Sequence, residues 1–317
     1  MIARRALPLL ALPALAQAQP RMRRLGLLSV GRVPAGFFRA IALPELAREG
    51  FVEGRNLDII ARVSEGIGSA LQMAARELLA QRPELIAAFS FVAAEAVFGL
   101  DPTMPMVMFG STPPVGGEFA RSYARPGGSV TGVLIRAQEL NAKRLELATD
   151  AFPASRRFGL LAGLPAGEAE LAPLRALAER RGVALLIGSA LSPDAPGAVI
   201  EGLAAAGAEV IVVGASPLLA ANIDGILAVT TRRGLPTLCE WRYLAEAGCT
   251  LSYGPEHVAI RRRHAQLIAR VLRGEHPSTI PIELADRVEF VVNMRAARAS
   301  GLELPVMVMA RADEIIE

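Results

Sequence analysis

Polar and aromatic side chains stand just after several predicted β-strands, and they carry the most recognisable chemistry in this sequence. In the first half of the chain they are Ser29, Arg32, Ser90, Phe91, Ser111 and Thr112, and in the second half Ser216, Glu240, Trp241 and Tyr253. Hydroxyl groups and helix N-termini can hold a carboxylate, and aromatic rings can wall an apolar group. Ligands of open α/β sheets bind beyond the carboxyl ends of the strands, so these loops predict a binding cleft. For Ser90 and Ser111 the alternative role is helix capping, and for each aromatic ring it is core packing.

Two charged residues can serve opposite ends of a ligand. Arg136 follows the middle of the chain closely enough to face the cleft, where its guanidinium could clasp a carboxylate with two hydrogen bonds. The alternative for Arg136 is a surface position. Glu240 is the acid found at a strand end in the second half, so it is the candidate partner of a ligand amine. The expected ligand is a small carboxylate with an apolar body and not a sugar, because few rings are placed to stack on one.

Motifs of catalysis and of cofactor binding do not stand where they would be needed. Residues Gly31–Gly36 follow the first strand but lack the G-x-G-x-x-G spacing, and Pro34 removes a backbone donor that a phosphate would use. Residues Gly214–Pro217 lack the second glycine of a nucleophile elbow. We therefore expect a protein that is not an enzyme and that carries no cofactor.

A late helical segment collects the histidines and the densest run of arginines in the chain. The histidines are His257, His264 and His276, and the arginines are Arg261, Arg262 and Arg263. The histidines have no cysteine or carboxylate at metal-ligand spacing, and a zinc pair usually stands four residues apart and not seven. We predict no metal site, solvated histidines and a solvated arginine face. No basic stripe with interleaved aromatic residues occurs, so the pI of about 9.3 does not predict nucleic-acid binding.

The chain has two cysteines, and their positions predict free, mostly buried thiols. Cys239 ends one predicted strand and Cys249 begins the next. If a short helix makes these strands parallel, the two sulfur atoms lie at opposite edges of the sheet, beyond the reach of a disulfide.

Short apolar segments alternate with amphipathic helices along the chain, which predicts βαβ units and parallel sheets. The stretch Arg125–Val133 interrupts this alternation, since Pro126 and the two glycines after it end any helix before a short β-prone run. We predict an α/β protein of two Rossmann-like, doubly wound lobes that close about Gly132–Val133 and Tyr253–Pro255. The predicted lobes comprise residues 19–132 with 255–282, and residues 133–254 with 283–317.

Residues 1–18 have the pattern of a secretory signal peptide. Arg4 and Arg5 supply a positive start, Ala6–Ala16 is apolar, and Ala16–Ala18 ends in small residues as a cleavage site does. The apolar run is too short to span a bilayer. We predict cleavage before Gln19 and a monomeric protein in the periplasm. The 52% of hydrophobic residues excludes a disordered chain.

Five sequence blocks, in order along the chain, carry a resemblance to a known family. They are Gly50–Leu57 (GFVEGRNL), Arg125–Val133 (RPGGSVTGV), Ala142–Leu147 (AKRLEL), Glu246–Pro255 (EAGCTLSYGP) and Ala310–Ile316 (ARADEII). Together they resemble the substrate-binding proteins of a bacterial ABC-transporter family. The resemblance implies a type I periplasmic-binding fold with three crossings between its lobes, a small-molecule ligand, and an ABC permease as the membrane partner.

Two acidic positions of that family are changed in this chain, which bears on the ligand. Pro113 replaces the acid of an Asp-Pro-Val turn, and Ser216 replaces the acid before Pro217. The sequence thus predicts an exported receptor that binds a carboxylate or amino-acid-like solute for a permease. Two alternatives stay open: a ligand-sensing subunit for a membrane sensor kinase, and a hydrolase on the same scaffold.

Overall fold

The structure is a computed structural model that describes residues 21–31, 36–110, 119–135, 140–163, 167–285 and 287–317. The predicted signal segment 1–18 and four predicted site residues, Arg32, Ser111, Thr112 and Arg136, lie outside these ranges. The strands are β1 (Arg23–Val30), β2 (Leu57–Ser64), β3 (Leu85–Ala88), β4 (Met106–Gly110), β5 (Val130–Leu134), β6 (Arg157–Ala162), β7 (Ala184–Ser189), β8 (Val210–Val213), β9 (Thr237–Cys239), β10 (Leu251–Pro255), β11 (Glu283–Leu284), β12 (Val288–Asn293) and β13 (Glu314–Ile316).

Helices follow most of these strands, as the alternating pattern predicts. A π-helical turn at Phe38–Ala42 leads into the first of them. The helices are α1 (Leu43–Arg48), α2 (Ser69–Ala80), α3 (Phe91–Phe98), α4 (Leu140–Ala151), α5 (Glu168–Arg181), α6 (Ala195–Ala205), α7 (Pro217–Ala221), α8 (Ile223–Arg232), α9 (Arg242–Ala247), α10 (His257–Leu272), α11 (Met294–Ala299) and α12 (Val306–Met309).

The first sheet has the strand order β11-β5-β4-β3-β1-β2, and its strands pair in parallel. Every residue of β3 and β4 is buried. Both strands are therefore apolar throughout, as expected where helices cover both faces of a parallel sheet. Helices α2 and α3 cover one face, and α1 with the long helix α10 covers the other.

The second sheet has the strand order β13-β12-β10-β9-β8-β6-β7. Its pairs are parallel except for β10 and β12, which run antiparallel. Helices α4 and α5 pack on one face, and α6 and α8 pack on the other. The predicted fold class, α/β with two mostly parallel, helix-covered sheets, is confirmed.

The chain passes between the two sheets three times. It leaves the first sheet between β5 and α4, returns between β10 and α10, and crosses again between β11 and β12. Strand β11 pairs with β5, so Glu283 and Leu284 belong to the first sheet although they were expected in the second lobe. Within the described ranges, none of the helices has the length and apolar character needed to span a membrane.

Gly132 has a packing role that the sequence pattern did not indicate. It lies inside β5 beside Met108 of β4, with φ at +154°. A Cβ at this position would stand 2.0 Å from the Met108 carbonyl oxygen, so any other residue would push the two strands apart. The glycine predicted to act in a hinge is thus required for the close approach of two strands.

Candidate functional site

The predicted site residues of the first sheet use their polar atoms within the protein. The Ser29 hydroxyl donates to the Gly31 carbonyl oxygen at 3.0 Å. The Ser90 hydroxyl accepts from the Ala93 backbone N–H at 3.2 Å and caps α3, which was the alternative role for this residue. The Phe91 ring packs on Phe119, with ring centroids 5.3 Å apart, at the edge of the core beneath α2 and α3.

The predicted site residues of the second sheet lie partly in the core and partly in the loops that follow its strands. Tyr253 lies within β10, and its ring packs on Phe290 in the core beneath α4, which was the alternative for the aromatic residues. Ser216 precedes α7 and makes no capping hydrogen bond with its side chain. Glu240 and Trp241 directly follow β9, where the sequence placed them.

The Glu240 carboxylate is the least satisfied acid of this region. The residue is 4% exposed, and its Oε1 atom has no hydrogen-bond partner among the described residues. Gly254 of β10 makes this packing possible, because a Cβ there would lie 2.0 Å from the Glu240 carbonyl oxygen. Burial raises the pKa of Glu240 to about 7, although the nearby positive charge of Arg144 opposes the rise. The carboxylate interacts with the Trp241 side chain through a hydrogen bond, so only Oε1 is left unsatisfied, and a buried polar atom without a partner is costly.

Next to Glu240, four rings carried by elements of both sheets form an aromatic cluster: Phe37, Trp241, Tyr243 and His257. Phe37 precedes α1, Trp241 lies between β9 and α9, Tyr243 belongs to α9, and His257 begins α10. The Phe37 ring lies 4.6 Å from Tyr243 and 4.2 Å from His257, measured between centroids. The Trp241 and His257 rings are 5.4 Å apart. The cluster therefore joins residues packed on the first sheet to residues carried by the second.

Arg261 of α10, the helix that packs on the first sheet, contacts this aromatic cluster. Its guanidinium carbon lies 4.8 Å from the centroid of Phe37 and 4.8 Å from that of Phe109, which is close enough for cation–π attraction. Its Nε donates to Nε2 of His257 at 2.6 Å, so that imidazole nitrogen is an acceptor. Burial, and then the charge of Arg261, lowers the pKa of His257 to about 3. Burial also lowers the pKa of Arg261 to about 10, which leaves the guanidinium charged at neutral pH.

The predictions of solvated histidines and of a solvated arginine run were wrong at three positions. His257, His264 and Arg261 are 6%, 1% and 6% exposed, whereas Arg262 is exposed. Positions 257, 261 and 264 lie on the face of α10 that packs on the first sheet, at the i, i+4, i+7 spacing of a buried helical stripe. That spacing, with the apolar residues at 260, 267 and 268, was the signal that could have identified them.

The prediction of free thiols was also wrong, because Cys239 and Cys249 form a disulfide. Their Cα atoms are 6.3 Å apart, within the range that a disulfide spans. Strand β9 has three residues and α9 has six, so the chain returns too soon for the cysteines to reach opposite edges of the sheet. The bond closes a loop that contains Glu240, Trp241 and Tyr243.

Other features of the described residues offer weaker chemistry. A surface groove of about 410 Å³ lies between α4 and α5, lined by Lys143, Glu146 and Arg180 among others. It is far from the strand ends, and Lys143 pairs with Glu146 at 2.8 Å. In the described ranges no group of three histidine, cysteine or acidic side chains is placed to hold a metal ion. The cluster around Glu240 and Arg261 is therefore the candidate site.

Comparisons with known proteins show the family and the fold of this chain. A family model described as ABC transporter substrate binding protein matches residues 42–316. A crystal structure of a conserved domain protein from Vibrio cholerae covers 93% of this chain and 100% of its own, with a TM-score of 0.83 and 23% identity. The structure of an ABC domain in complex with L-Trp from Streptococcus pneumoniae covers the same shares, with a TM-score of 0.80 and 20% identity.

One relative of this chain has a named ligand. It is the tyrosine-binding protein of Clostridioides difficile (strain R20291), which is 20% identical over 278 residues, or 87% of this chain and 78% of that protein. At these identities the solved structures show a shared fold, with two sheets arranged as described above.

Proposed function

We propose that this chain, which belongs to the ABC transporter substrate-binding protein family, captures a small carboxylate or amino-acid-like solute between its two sheets. The family consists of binding proteins for transport and not of enzymes. In this proposal the loaded protein delivers its solute to an ABC permease in the membrane. No observation on the described residues favours a subunit for a sensor kinase.

The observation that carries the proposal is the Glu240 carboxylate, which is buried at a strand end and lacks a partner for Oε1. Proteins rarely keep such a group without a hydrogen bond unless another molecule supplies it. Ligands of open α/β sheets bind at this end of the strands. A solute with a positively charged or neutral N–H donor would therefore satisfy Glu240.

Two relatives support a solute of this class. The L-Trp complex shares the fold of this chain, and the tyrosine-binding protein is 20% identical to it over 278 residues. The aromatic cluster could pack on an apolar or aromatic body of the ligand. We therefore include aromatic amino acids among the candidate solutes.

Export and lobe closure are part of the same proposal. The Cys239–Cys249 disulfide fits an oxidising compartment, in agreement with the predicted signal segment 1–18 and a periplasmic location. In this proposal the lobes comprise residues 19–132 with 255–282 and residues 133–254 with 283–317, with β11 and the end of β5 assigned to the first lobe because both pair within the first sheet. Closure would bring the two sheets together around the solute.

A thermal-shift screen tests this function. The panel comprises amino acids, aromatic acids, dicarboxylates and sugars, each tested with the wild-type protein. A ligand present at 100 times its Kd should stabilise the folded protein by about 2.7 kcal/mol, which raises the melting temperature measurably. A screen in which no compound, or only a sugar, raises the melting temperature would contradict the proposal.

A further inference from the structure

Arg261 and Glu240 are carried by elements that belong to different sheets, and both are more than nine-tenths buried. Arg261 belongs to α10, which packs on β3, β4 and β5 of the first sheet. Glu240 directly follows β9 of the second sheet. The two residues are 6% and 4% exposed, respectively.

Arg261 and Glu240 interact electrostatically but form no hydrogen bond with each other. Burial lowers the pKa of Arg261, and Tyr243 and then the charge of Glu240 oppose this by favouring the protonated form. Nevertheless, Oε1 of Glu240 has no hydrogen-bond partner among the described residues. Of the guanidinium atoms of Arg261, Nε donates to His257, and the terminal nitrogens make no hydrogen bond within the described part of the chain.

The neighbours of Arg261 hold its guanidinium in one orientation. The rings of Phe37 and Phe109 each lie 4.8 Å from its carbon atom, and His257 accepts from Nε. The two terminal nitrogens are therefore the donors left for a ligand. A pair of guanidinium N–H groups matches the two oxygen atoms of a carboxylate.

The cluster between the two charges is apolar. Phe37 and Tyr243 are half-buried, with ring centroids 4.6 Å apart, and the Trp241 ring lies almost parallel to that of Tyr243. The surface between the positive and the negative group thus suits a hydrocarbon or aromatic side chain. A sugar would leave the buried charges poorly matched, since its hydroxyl groups are neutral.

We propose that Arg261 binds the carboxylate and Glu240 the ammonium group of a zwitterionic α-amino acid whose apolar side chain packs on Phe37 and Tyr243. This inference rests on the proposed function and names its substrate class. It assigns the carboxylate to Arg261 of the first sheet. Because the two partners stand on different sheets, a bound amino acid links them and holds the cleft closed.

Isothermal titration calorimetry with three matched probes tests the inference. The probes are L-phenylalanine, 3-phenylpropanoate, which lacks the ammonium group, and 2-phenylethylamine, which lacks the carboxylate. For the wild-type protein we expect L-phenylalanine to bind about 10- to 100-fold more tightly than either analogue, because each analogue leaves a buried charge unpaired.

Two variants assign the two ends of the probe. Arg261→Gln should remove the preference for L-phenylalanine over 2-phenylethylamine and keep the preference over 3-phenylpropanoate. Glu240→Gln should remove the preference for L-phenylalanine over 3-phenylpropanoate and keep the preference over 2-phenylethylamine. The matched controls are Arg262→Gln, an exposed neighbour on the same helix, and Glu246→Gln, an exposed acid on α9; both should bind as the wild type does. Arg261→Lys keeps the charge and loses the paired donors, so its affinity for L-phenylalanine should lie between those of the wild type and Arg261→Gln.

The possible outcomes separate this inference from the proposed function. Equal binding of L-phenylalanine and 3-phenylpropanoate, or variants that leave both preferences unchanged, would overturn the zwitterion site. If L-phenylalanine and L-leucine fail to bind while a dicarboxylate or an aromatic acid of the screening panel does, the inference is wrong and the proposed function stands. If only a sugar binds, both are wrong. If no panel compound binds, both are wrong. A variant that loses its cooperative thermal transition is replaced by Arg261→Lys, which preserves the buried charge.

Discussion

The strand ends of the two sheets use their polar side chains in different ways. At the first sheet, Ser29 and Ser90 direct their hydroxyl groups to backbone atoms of their own loops. At the second sheet, Glu240 keeps a buried carboxylate oxygen without a partner among the described residues. Side chains satisfied within the protein stabilise the fold, whereas an unsatisfied buried group destabilises the empty protein and favours a bound ligand. The comparison makes Glu240 the first candidate for contact with a ligand.

The largest expected effect is a gain in stability when the Glu240 charge is removed. Since the pKa of Glu240 is about 7 in the folded protein and 4.5 ordinarily, stability is lost as pH rises from about 4.5 to 7. In the absence of ligand, Glu240→Gln should raise the free energy of unfolding by roughly 3 kcal/mol at pH 8, and by less at pH 5. Urea unfolding at both pH values measures this. Glu246→Gln, at an exposed position, is the control, and a loss of stability in Glu240→Gln at pH 8 would contradict the contrast between the sheets.

Removal of the disulfide should have the next largest effect, and in the opposite direction. The double variant Cys239→Ala/Cys249→Ala frees a loop whose cysteines are ten positions apart in sequence. We expect a loss of about 2–3 kcal/mol in the free energy of unfolding, mainly because the unfolded chain is less restricted. Reduction of the wild-type protein should reproduce the loss. Equal stability of oxidised wild type and double variant would show that the loop holding Glu240 and Trp241 does not need the bond.

A buried histidine beneath the first sheet should produce a pH effect. His264 lies between the rings of Phe89 and Phe109, and its Nε2 is 3.2 Å from the Val107 carbonyl oxygen. Burial lowers the pKa of His264 from 6.5 to about 4. Between these two pH values the imidazole is protonated in the unfolded chain and neutral in the folded protein. Stability should therefore fall as pH falls from 6.5 towards 4.

The His264→Gln variant isolates this effect. Between pH 7 and pH 5 the wild type should lose about 2 kcal/mol more than the variant in the free energy of unfolding. His276→Gln, at an exposed histidine, should follow the wild type. If His264→Gln shows the same dependence on pH as the wild type, the imidazole is not held in its neutral form.

The smallest effect compares the two serines at strand ends. Ser90→Ala removes the cap of α3 and should lower the free energy of unfolding by about 1 kcal/mol. Ser216 makes no capping bond, so Ser216→Ala should change stability by less than about 0.5 kcal/mol. Denaturant unfolding of both variants measures the difference. A larger loss of stability in Ser216→Ala than in Ser90→Ala would contradict the prediction.

Much of the fold could be predicted because it depends on local patterns. Buried parallel strands such as β3 and β4 are continuous apolar runs, and the helices between them repeat every 3.6 residues. Pairing between distant segments has no such signal. The placement of β11 beside β5, and of Gly132 against Met108, depends on contacts made only in the folded protein.

The positions of the candidate site residues could be predicted where they follow a strand, but not where they lie on a helix. Glu240 and Trp241 lie directly after β9, where the sequence placed them, and their role in binding stays a prediction. Arg261 and His257 were missed, because charged and titratable residues on a helix are usually solvated. Their burial follows from the packing of α10 on the first sheet, and the disulfide follows from the shortness of β9 and α9.

The fluorescence of Trp241 provides the most direct test of binding between the sheets. Trp241 is the only tryptophan of the chain, it is 6% exposed, and it lies in the aromatic cluster beside Glu240. A panel compound that binds by calorimetry should change the emission of Trp241 and its quenching by acrylamide, saturating at one molecule per chain. A compound that binds with that stoichiometry and leaves both signals of Trp241 unchanged would contradict the site.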